Sequence, residues 1–387
     1  MSAIDATLRA SSATHSTPGF VAAAVKNGEP VFEGAYGLRE PSASAPMTAD
    51  SVFWIASMTK AVTAVAAMQL VEAGRIGLDT PLGAVVPTLG GVQVLDGFED
   101  DGTPRLRAPK TPVTLRHLLT HTSGFAYDMW NTQMGRYIAH TGMPGIGTGL
   151  NTALDLPLMF DPGEHWEYGV GIDWAGKVVE ALSGQSLDVY LAERIFTPLG
   201  MTDTAFAPTP AMQARLVGMA MRTPDGGMAP FALPRNEAPE FWGGGGGLYS
   251  TVGDYLAFLQ MILNGGVLND ARVLKPETVA LMGQNHIGDT PVRKLATAMP
   301  FLTHDLDITG GEPTHWGLSW QINPKPGPHG RAAGSLAWAG LANTYYWADP
   351  QNRIAGVLMT QILPFADPNA LALFADFERA VYAEVGA

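Results

Sequence analysis

The sequence predicts an α/β protein of the α+β type, in which one antiparallel sheet is completed from both ends of the chain. Strand-like apolar runs occur near both termini, whereas the middle of the chain is rich in Pro, Gly and short helical patterns. A chain of 387 residues is also long for one compact core and more natural for two packed lobes.

The N-terminal part of the sheet is predicted to be a hairpin. Apolar runs at residues 19–25 and 31–37 flank a short polar segment that contains Asn27-Gly28. Because both turn residues tolerate a positive φ, Asn-Gly between two such runs favours a tight reversal of the chain.

The next predicted element is a helix that begins at Ser57, directly after a third short apolar run at residues 52–55. From Ser57 to Ala73 the chain is rich in Ala, Val, Met and Leu, and Gly74 is placed as a C-terminal stop. Since this helix is apolar nearly all round, we expect it to be buried.

The middle of the chain carries two further helical patterns, one capped by Thr114 and one over residues 172–182. It ends in a run of five glycines, Gly243–Gly247. A flexible linker would explain this run, but Thr251 and Asp254 follow it closely as a predicted helix cap. We therefore expect the glycines to form a tight, ordered turn.

The C-terminal part of the chain returns to strand patterning and ends in a helix. A turn is predicted at residues 349–352, and an amphipathic helix at residues 368–385. The predicted strands are residues 316–322, 335–341, 344–348 and 353–361.

Composition limits the classes of partner. The net charge is −13 and no cluster of Lys and Arg stands out, which argues against nucleic acid and anionic membranes. The absence of cysteine removes disulfides, thiolate nucleophiles and Cys-based zinc sites. Neither a secretion signal nor a membrane-spanning stretch is recognisable. We expect a cytoplasmic protein that acts on a small molecule; the sequence does not indicate its oligomeric state.

The pattern with the clearest chemical meaning is Ser57-Met58-Thr59-Lys60. Residues three apart share one face of a helix, so Lys60 is expected beside the Ser57 hydroxyl. Lys60 is the only charged residue between Asp50 and Glu72. Burial lowers the pKa of a lysine amine, which would make it available as a base that activates Ser57. A capping serine and a lysine that reaches the surface would also explain the pattern.

Two other segments are weaker candidates when each is taken alone. Tyr168 follows a turn at Pro162-Gly163 and could relay a proton near a cation, although most tyrosines in such a setting are core aromatics. Residues 338–341 combine Trp, Ala, Gly and Leu on a predicted strand whose backbone N–H could stabilise an oxyanion. Taken alone, that segment is better explained as an ordinary strand with a glycine bulge.

Taken together, these segments resemble the serine β-lactamase and penicillin-recognising superfamily, in particular its class C-like branch and the related family VIII carboxylesterases. Their order covers nearly the whole chain, from about Gly19 to Leu358. The matching segments are Ser57–Lys60, Leu115–Gly124, Asp161–Gly163 with Tyr168, Pro198–Met201 and Gly247–Thr251.

The resemblance implies a β-lactamase-like fold: an antiparallel sheet flanked by N- and C-terminal helices, plus a mostly helical second domain. It assigns residues 1–80 and 243–387 to the α/β domain and residues 81–242 to the helical one, with the active site at their boundary. No metal or organic cofactor is implied.

The resemblance also implies a role for each candidate residue. Ser57 becomes the nucleophile, and Lys60 and Tyr168 become the proton-transfer groups, although the general base cannot be chosen between these two. The oxyanion is expected between the backbone N–H groups of Ser57 and Leu341.

Two departures from the family pattern point to the expected substrate. The Tyr motif of β-lactamases ends in Asn, but residues 168–170 read Tyr-Gly-Val. Their Lys/His-Thr-Gly triad is here Trp338-Ala339-Gly340. The missing cation would help hold the carboxylate of a β-lactam, whereas Trp338 and Gly340 suit the binding of an uncharged group.

The expected function is therefore that of a serine carboxylesterase, which hydrolyses small carboxylic esters through a Ser57 acyl-enzyme. The alternatives within the superfamily are a β-lactamase, a D-amino-acid peptidase or amidase, and an acyltransferase. A ligand-binding protein without activity is disfavoured because the three catalytic candidates are retained. His117 and His121 have a spacing that could hold zinc, but no third ligand is evident, so no metal is expected.

Overall fold

The computed structural model describes residues 2–40, 44–232, 236, 238–309, 311 and 313–386. The helices are α1 (Ala3–His15), α2 (Thr59–Glu72), α3 (Pro87–Gly90), α4 (Leu115–Leu119), α5 (Thr132–Thr141), α6 (Gly171–Ser183), α7 (Leu187–Leu191), α8 (Thr197–Leu199), α9 (Pro210–Gln213), α10 (Val252–Leu263), α11 (Pro276–Met282) and α12 (Pro368–Val385). Short 3₁₀ turns lie at Ala56–Met58, Leu82–Ala84, Ile146–Thr148 and Asn151–Leu154, and a π turn lies at Ala192–Phe196.

The strands form one main sheet and several two- or three-stranded pieces. They are β1 (Gly19–Lys26), β2 (Glu29–Gly37), β3 (Phe53–Trp54), β4 (Val94–Phe98), β5 (Pro104–Arg107), β6 (Ala220–Arg222), β7 (Met228–Pro230), β8 (Tyr249–Ser250), β9 (Val267–Leu268), β10 (Ala271–Arg272), β11 (His315–Trp316), β12 (Gln321–Ile322), β13 (Leu336–Gly340), β14 (Thr344–Asp349), β15 (Ile354–Met359) and β16 (Ile362–Leu363).

The main sheet is antiparallel and contains strands from both ends of the chain, as the sequence predicted. Its order is β11-β12-β13-β14-β15-β1-β2, so the N-terminal hairpin pairs with the last long strand. The hairpin turns at Asn27-Gly28, where φ is 55° and 85°, in agreement with the turn chemistry of Asn-Gly.

Strand β1 is covered on both faces, which explains why its sequence reads as a continuous apolar run rather than an alternating one. Phe20, Ala22 and Ala24 pack with residues of α1 and α12. On the opposite face, Val21 and Ala23 belong to the larger core, which also contains residues of α2 and α10.

Helix α1 was not predicted, because residues 3–15 are polar and rich in Ser and Thr. The structure shows an amphipathic helix whose N-cap is Ser2, which accepts a hydrogen bond from the N–H of Asp5 at 3.1 Å. Only a narrow stripe that includes Ile4 and Leu8 is buried, and it packs against α12. Tertiary packing therefore stabilises a helix whose composition gives a weak signal.

One predicted strand is wrong. Residues 316–322 form a hairpin of the short strands β11 and β12 instead, because the chain turns at residues 317–320. Ser319 has a φ of 79°, and the N–H of Gly317 donates to the carbonyl oxygen of Trp320 at 2.8 Å. Leu318 and Trp320 are buried in this turn. The apolar pattern therefore continues through the turn and does not reveal it.

The predicted helix at residues 57–73 also needs a small correction. Ser57 lies in the 3₁₀ turn at Ala56–Met58, and α2 follows it and ends at Glu72. Gly74 follows the helix with a φ of 68°, as expected of a C-terminal stop. As its composition predicts, most of α2 is buried.

The remaining predicted helices are present: α4 and α10 follow their predicted caps Thr114 and Thr251, and α6 and α12 lie within one residue of the predicted ranges at each end. Within the described part of the chain, no helix combines the length and apolar character needed to cross a bilayer.

Candidate active site

Ser57 is presented by a strained turn between a short strand and a buried helix. Strand β3 pairs with β8, and the N–H of Ile55 donates to the carbonyl oxygen of Leu248 at 3.0 Å. Ala56 then adopts a left-handed conformation with a φ of 44°. Such a conformation costs a non-glycine residue about 1–2 kcal/mol, so the surrounding structure must hold this turn in place.

Lys60 lies one turn further along α2, and its side chain is fully buried. Its Nζ donates to Ser57 Oγ at 3.1 Å, to Tyr127 Oη at 3.0 Å and to the carbonyl oxygen of Gly245 at 2.5 Å. Burial lowers the pKa of Lys60 to about 7, and the charge of Asp173 partly opposes this shift. Near neutral pH a substantial fraction of Lys60 is therefore an uncharged amine within hydrogen-bonding distance of Ser57.

The glycine run forms the ordered turn that the sequence predicted. The N–H groups of Gly246 and Gly247 both donate to the carbonyl oxygen of Gly243, at 3.0 and 2.8 Å. The N–H of Gly245 donates to Asp173 Oδ1 at 2.8 Å, and a Cβ at position 245 would collide with this carboxylate. Glycine is thus required where the backbone passes between Asp173 and Lys60.

Tyr168 lies on the other side of Lys60, whose Nζ is 4.8 Å from the centroid of the Tyr168 ring. It is buried, and its Oη accepts a hydrogen bond from Trp338 Nε1 at 2.9 Å. Burial raises the pKa of Tyr168 above its usual value, although hydrogen bonds with Ser57 and Trp338 partly offset this effect. Tyr168 is therefore a neutral phenol at physiological pH.

Strand β13 lies against the turn that carries Ser57. A Cβ added at Gly340 would collide with the carbonyl oxygen of Ile55 and with Thr344 Oγ1, so only glycine allows the two segments to approach this closely. Leu341 follows at the end of the strand and borders the same space as Ser57. The oxyanion role of these two N–H groups stays a prediction, as does substrate binding by Trp338 and Gly340.

Two cavities meet at Ser57. The large one has a volume of about 540 Å³, and the small one about 10 Å³. The aromatic residues that line the large cavity include Trp54, Tyr127, Trp130, Phe206, Phe241 and Trp242. The residues that line the small cavity include Ser57, Trp130, Tyr168, Trp338, Gly340 and Leu341.

The structure thus places six predicted residues next to one another, and their roles stay predictions: Ser57, Lys60, Tyr168, Trp338, Gly340 and Leu341. Sequence reasoning missed Tyr127 and Asp173. The available signal for Asp173 was a lone acidic residue near the start of an apolar helical pattern. Tyr127 gave no comparable signal.

The two histidines considered as zinc ligands have other partners. His117 Nδ1 accepts a hydrogen bond from the N–H of Thr114 and completes the cap of α4. His121 is buried beside Tyr168, and its Nδ1 accepts a hydrogen bond from the N–H of Gly169 at 3.4 Å. Burial lowers the pKa of His121 well below its usual value, so this ring is neutral.

Comparison with known proteins identifies the family of this chain. The beta-lactamase family model matches residues 4–380. The chain is 32% identical over 357 residues to monacolin J acid methylbutanoyltransferase of Aspergillus terreus, a match that spans 88% of this chain and 84% of that protein. It is 32% identical over 338 residues to lovastatin esterase of Penicillium rubens, with 84% of each protein covered.

Among solved structures, a mutant of simvastatin synthase from Aspergillus terreus superposes with a TM-score of 0.84 and 31% identity. That superposition covers 99% of this chain and 96% of the other. The sheet formed from both chain ends and the Ser57–Lys60 turn lie within the matched region. The chain has a β-lactamase-like fold and belongs to the beta-lactamase family.

Proposed function

We propose that this protein is a serine acyltransferase that also acts as an esterase. It takes an acyl group from an ester onto Ser57 and passes it to an alcohol, or to water when no alcohol is in place. The observation that carries this proposal is the 3.1 Å hydrogen bond between the buried Lys60 Nζ and Ser57 Oγ, which borders the large cavity. A nucleophile paired with a base of lowered pKa is the arrangement that covalent acyl transfer needs.

We place transfer before hydrolysis, whereas the expectation from the sequence placed the carboxylesterase first. The relatives at 32% identity are named as a methylbutanoyltransferase and as an esterase, so the acyltransferase alternative gains the stronger support. The cavity of about 540 Å³ beside Ser57 is in the size range of sites that bind drug-sized molecules. Such a cavity has room for an acceptor alcohol much larger than water.

The pKa values favour Lys60 as the general base. The pKa of Lys60 is lowered to about 7, whereas burial raises that of Tyr168. Lys60 accepts the Ser57 proton as Ser57 Oγ attacks the ester carbonyl. Tyr168 donates a proton to the departing alkoxide and regains one from Lys60, so both groups are neutral again in the acyl-enzyme. In the second half of the reaction the acceptor attacks the Ser57 ester, and the Ser57 hydroxyl is restored.

The test is a partition assay with p-nitrophenyl butyrate as the acyl donor and ethanol or cyclohexylmethanol as the acceptor. We expect release of p-nitrophenolate that is lost in Ser57→Ala, and a butyrate ester of cyclohexylmethanol as a major product. The cephalosporin nitrocefin should be opened slowly or not at all. Turnover that persists in a folded Ser57→Ala variant would refute the nucleophile, and free butyrate as the only product would reduce the proposal to a hydrolase.

A further inference from the structure

Lys60 contacts a second phenol in addition to Tyr168. Its Nζ donates to Tyr127 Oη at 3.0 Å, and both groups are buried. The two tyrosines face different spaces: Tyr127 lines the large cavity, whereas Tyr168 lines the small one. Lys60 therefore contacts two tyrosines, and each of them lines a different cavity beside Ser57.

The hydrogen-bond partners of the two phenols also differ. Tyr168 Oη is already engaged by Trp338 Nε1 and by the Ser57 hydroxyl. Among the residues that the structure describes, the Tyr127 hydroxyl is hydrogen-bonded to Lys60 alone. A phenol can donate one hydrogen bond and accept two. Tyr127 thus retains the capacity to bond a hydroxyl group in the large cavity while it stays in contact with Lys60.

Backbone contacts hold Tyr127 in this position. Its N–H donates to the carbonyl oxygen of Tyr168 at 3.4 Å, and its carbonyl oxygen accepts from the N–H of Trp130 at 3.2 Å. Its ring centroid is 5.6 Å from that of Tyr168. Burial raises the pKa of Tyr127 well above its usual value, so its hydroxyl is neutral.

We propose that Tyr127 is a catalytic residue of the transfer step, in which it moves the proton of the acceptor alcohol to Lys60. This inference rests on the acyltransferase function proposed above. As the alcohol oxygen bonds to the acyl carbon, its proton passes to Tyr127 Oη, and the proton of Tyr127 passes to the uncharged Lys60 amine. The bond between the acyl carbon and Ser57 Oγ then breaks, and Lys60 returns the proton to Ser57 Oγ. The alcohol becomes the ester product, and all three side chains regain their starting protonation states.

Water can reach the acyl-enzyme by the other route. The small cavity of about 10 Å³ is close to the volume that a single water molecule needs, and it borders Ser57 and Tyr168 but not Tyr127. Hydrolysis from this side uses Tyr168 and Lys60. Loss of the Tyr127 hydroxyl should therefore impair transfer to a bulky alcohol more than it impairs hydrolysis.

The experiment compares the unchanged chain with Tyr127→Phe, using p-nitrophenyl butyrate as the donor and cyclohexylmethanol as the acceptor. Because p-nitrophenolate leaves without a proton, we expect the rate of acylation to depend little on Tyr127 or Tyr168. A group that transfers a proton contributes about 10²–10⁴-fold to a rate. We expect the ratio of ester product to free butyrate to fall at least tenfold in Tyr127→Phe.

Tyr137→Phe serves as the matched control, since Tyr137 is a buried tyrosine of α5 outside the site, and its ratio should not change. Thermal unfolding verifies that each variant is folded. An unchanged ratio in Tyr127→Phe would overturn the inference, as would an equal loss of transfer and hydrolysis, which would mean that Tyr127 only positions Lys60. A chain that releases p-nitrophenolate through Ser57 but makes no transfer product would refute the acyltransferase function itself, which separates the two failures.

Discussion

Replacement of Asp173 by Asn should make the enzyme active at lower pH. Asp173 is fully buried, and its Oδ2 has no hydrogen-bond partner among the described residues. Its charge raises the pKa of Lys60, against the larger effect of burial. An Asn keeps an oxygen that can accept from the N–H of Gly245, so the substitution removes the charge with little change in shape.

The size of the shift follows from the contacts through Gly245. Lys60 Nζ is 2.5 Å from the Gly245 carbonyl oxygen, and Asp173 Oδ1 is 2.8 Å from the Gly245 nitrogen. With the ~3.6 Å span of one residue between them, the two charges lie within about 9 Å of each other. At an effective dielectric constant of about 20, their interaction is about 2 kcal/mol, which corresponds to slightly more than one pKa unit.

The expected shift raises the relative activity of Asp173→Asn at low pH, whereas general damage to the site would not. Without the carboxylate the pKa of Lys60 falls, so the uncharged amine persists to lower pH. The acid limb of kcat/KM, expected near pH 7 in the unchanged chain, should move to about pH 6. At pH 6 the variant should retain a larger fraction of its plateau activity than the unchanged chain does.

The assay is p-nitrophenyl butyrate hydrolysis between pH 5 and 9 at constant ionic strength. Asp100→Asn is the matched control, because it removes the same charge from an exposed position and should leave the profile unchanged. An acid limb that stays in place or moves to higher pH in Asp173→Asn would refute the reasoning. It would mean either that Lys60 is not the titrating base or that Asp173 acts only as a structural acceptor for Gly245.

Three further substitutions test other parts of the site. Lys60→Met should lower kcat at least about a hundredfold and keep the circular dichroism spectrum, because it removes the proposed base but leaves an apolar chain in the buried position. Near-normal turnover would exclude Lys60 as the base. Trp338→Phe removes the hydrogen bond to Tyr168 Oη, which is worth about 1 kcal/mol, and should therefore lower kcat about fivefold. An unchanged kcat would show that this hydrogen bond does not affect Tyr168 during turnover. Gly340→Ala forces a Cβ against Ile55, so it should lower the free energy of unfolding in urea by about 1–3 kcal/mol and should also lower activity. A variant as stable and active as the original would contradict this close contact.

Features that depend on neighbours in the sequence could be predicted from it. The β1–β2 hairpin follows from Asn27-Gly28 between apolar runs. The cap of α10 follows from Thr251, whose hydroxyl oxygen accepts a hydrogen bond from the N–H of Asp254 at 3.1 Å. The contact between Ser57 and Lys60 is of the same kind, because residues three apart share a helix face. For such features the sequence contains both partners within one or two turns.

Features that depend on distant partners could not be predicted in this way. Tyr127 meets Lys60 across 67 positions, and Asp173 meets Gly245 across 72. No periodicity links such pairs, and a lone Tyr or Asp in the sequence is more often structural than catalytic. Tyr168 and Trp338 were placed by the resemblance to a family rather than by their own local pattern. Helix α1 was missed for a related reason, since its stability comes from packing on α12.

Burial of Lys60 links the chemistry of the proposed mechanism to its choice of acceptor. Burial brings the pKa of this lysine to about 7, while Ser57 beside it borders both cavities and can be reached by water as well as by an alcohol. Water is abundant and an alcohol is scarce, so transfer competes with hydrolysis only if the alcohol is bound and its proton has a path to the base. The large cavity offers a bulky alcohol apolar contacts, and Tyr127 offers that path. In this arrangement the partition between ester and acid is decided by occupancy of the large cavity rather than by the reactivity of Ser57. A single site can therefore act as a transferase toward alcohols that fill the cavity and as an esterase when none is present.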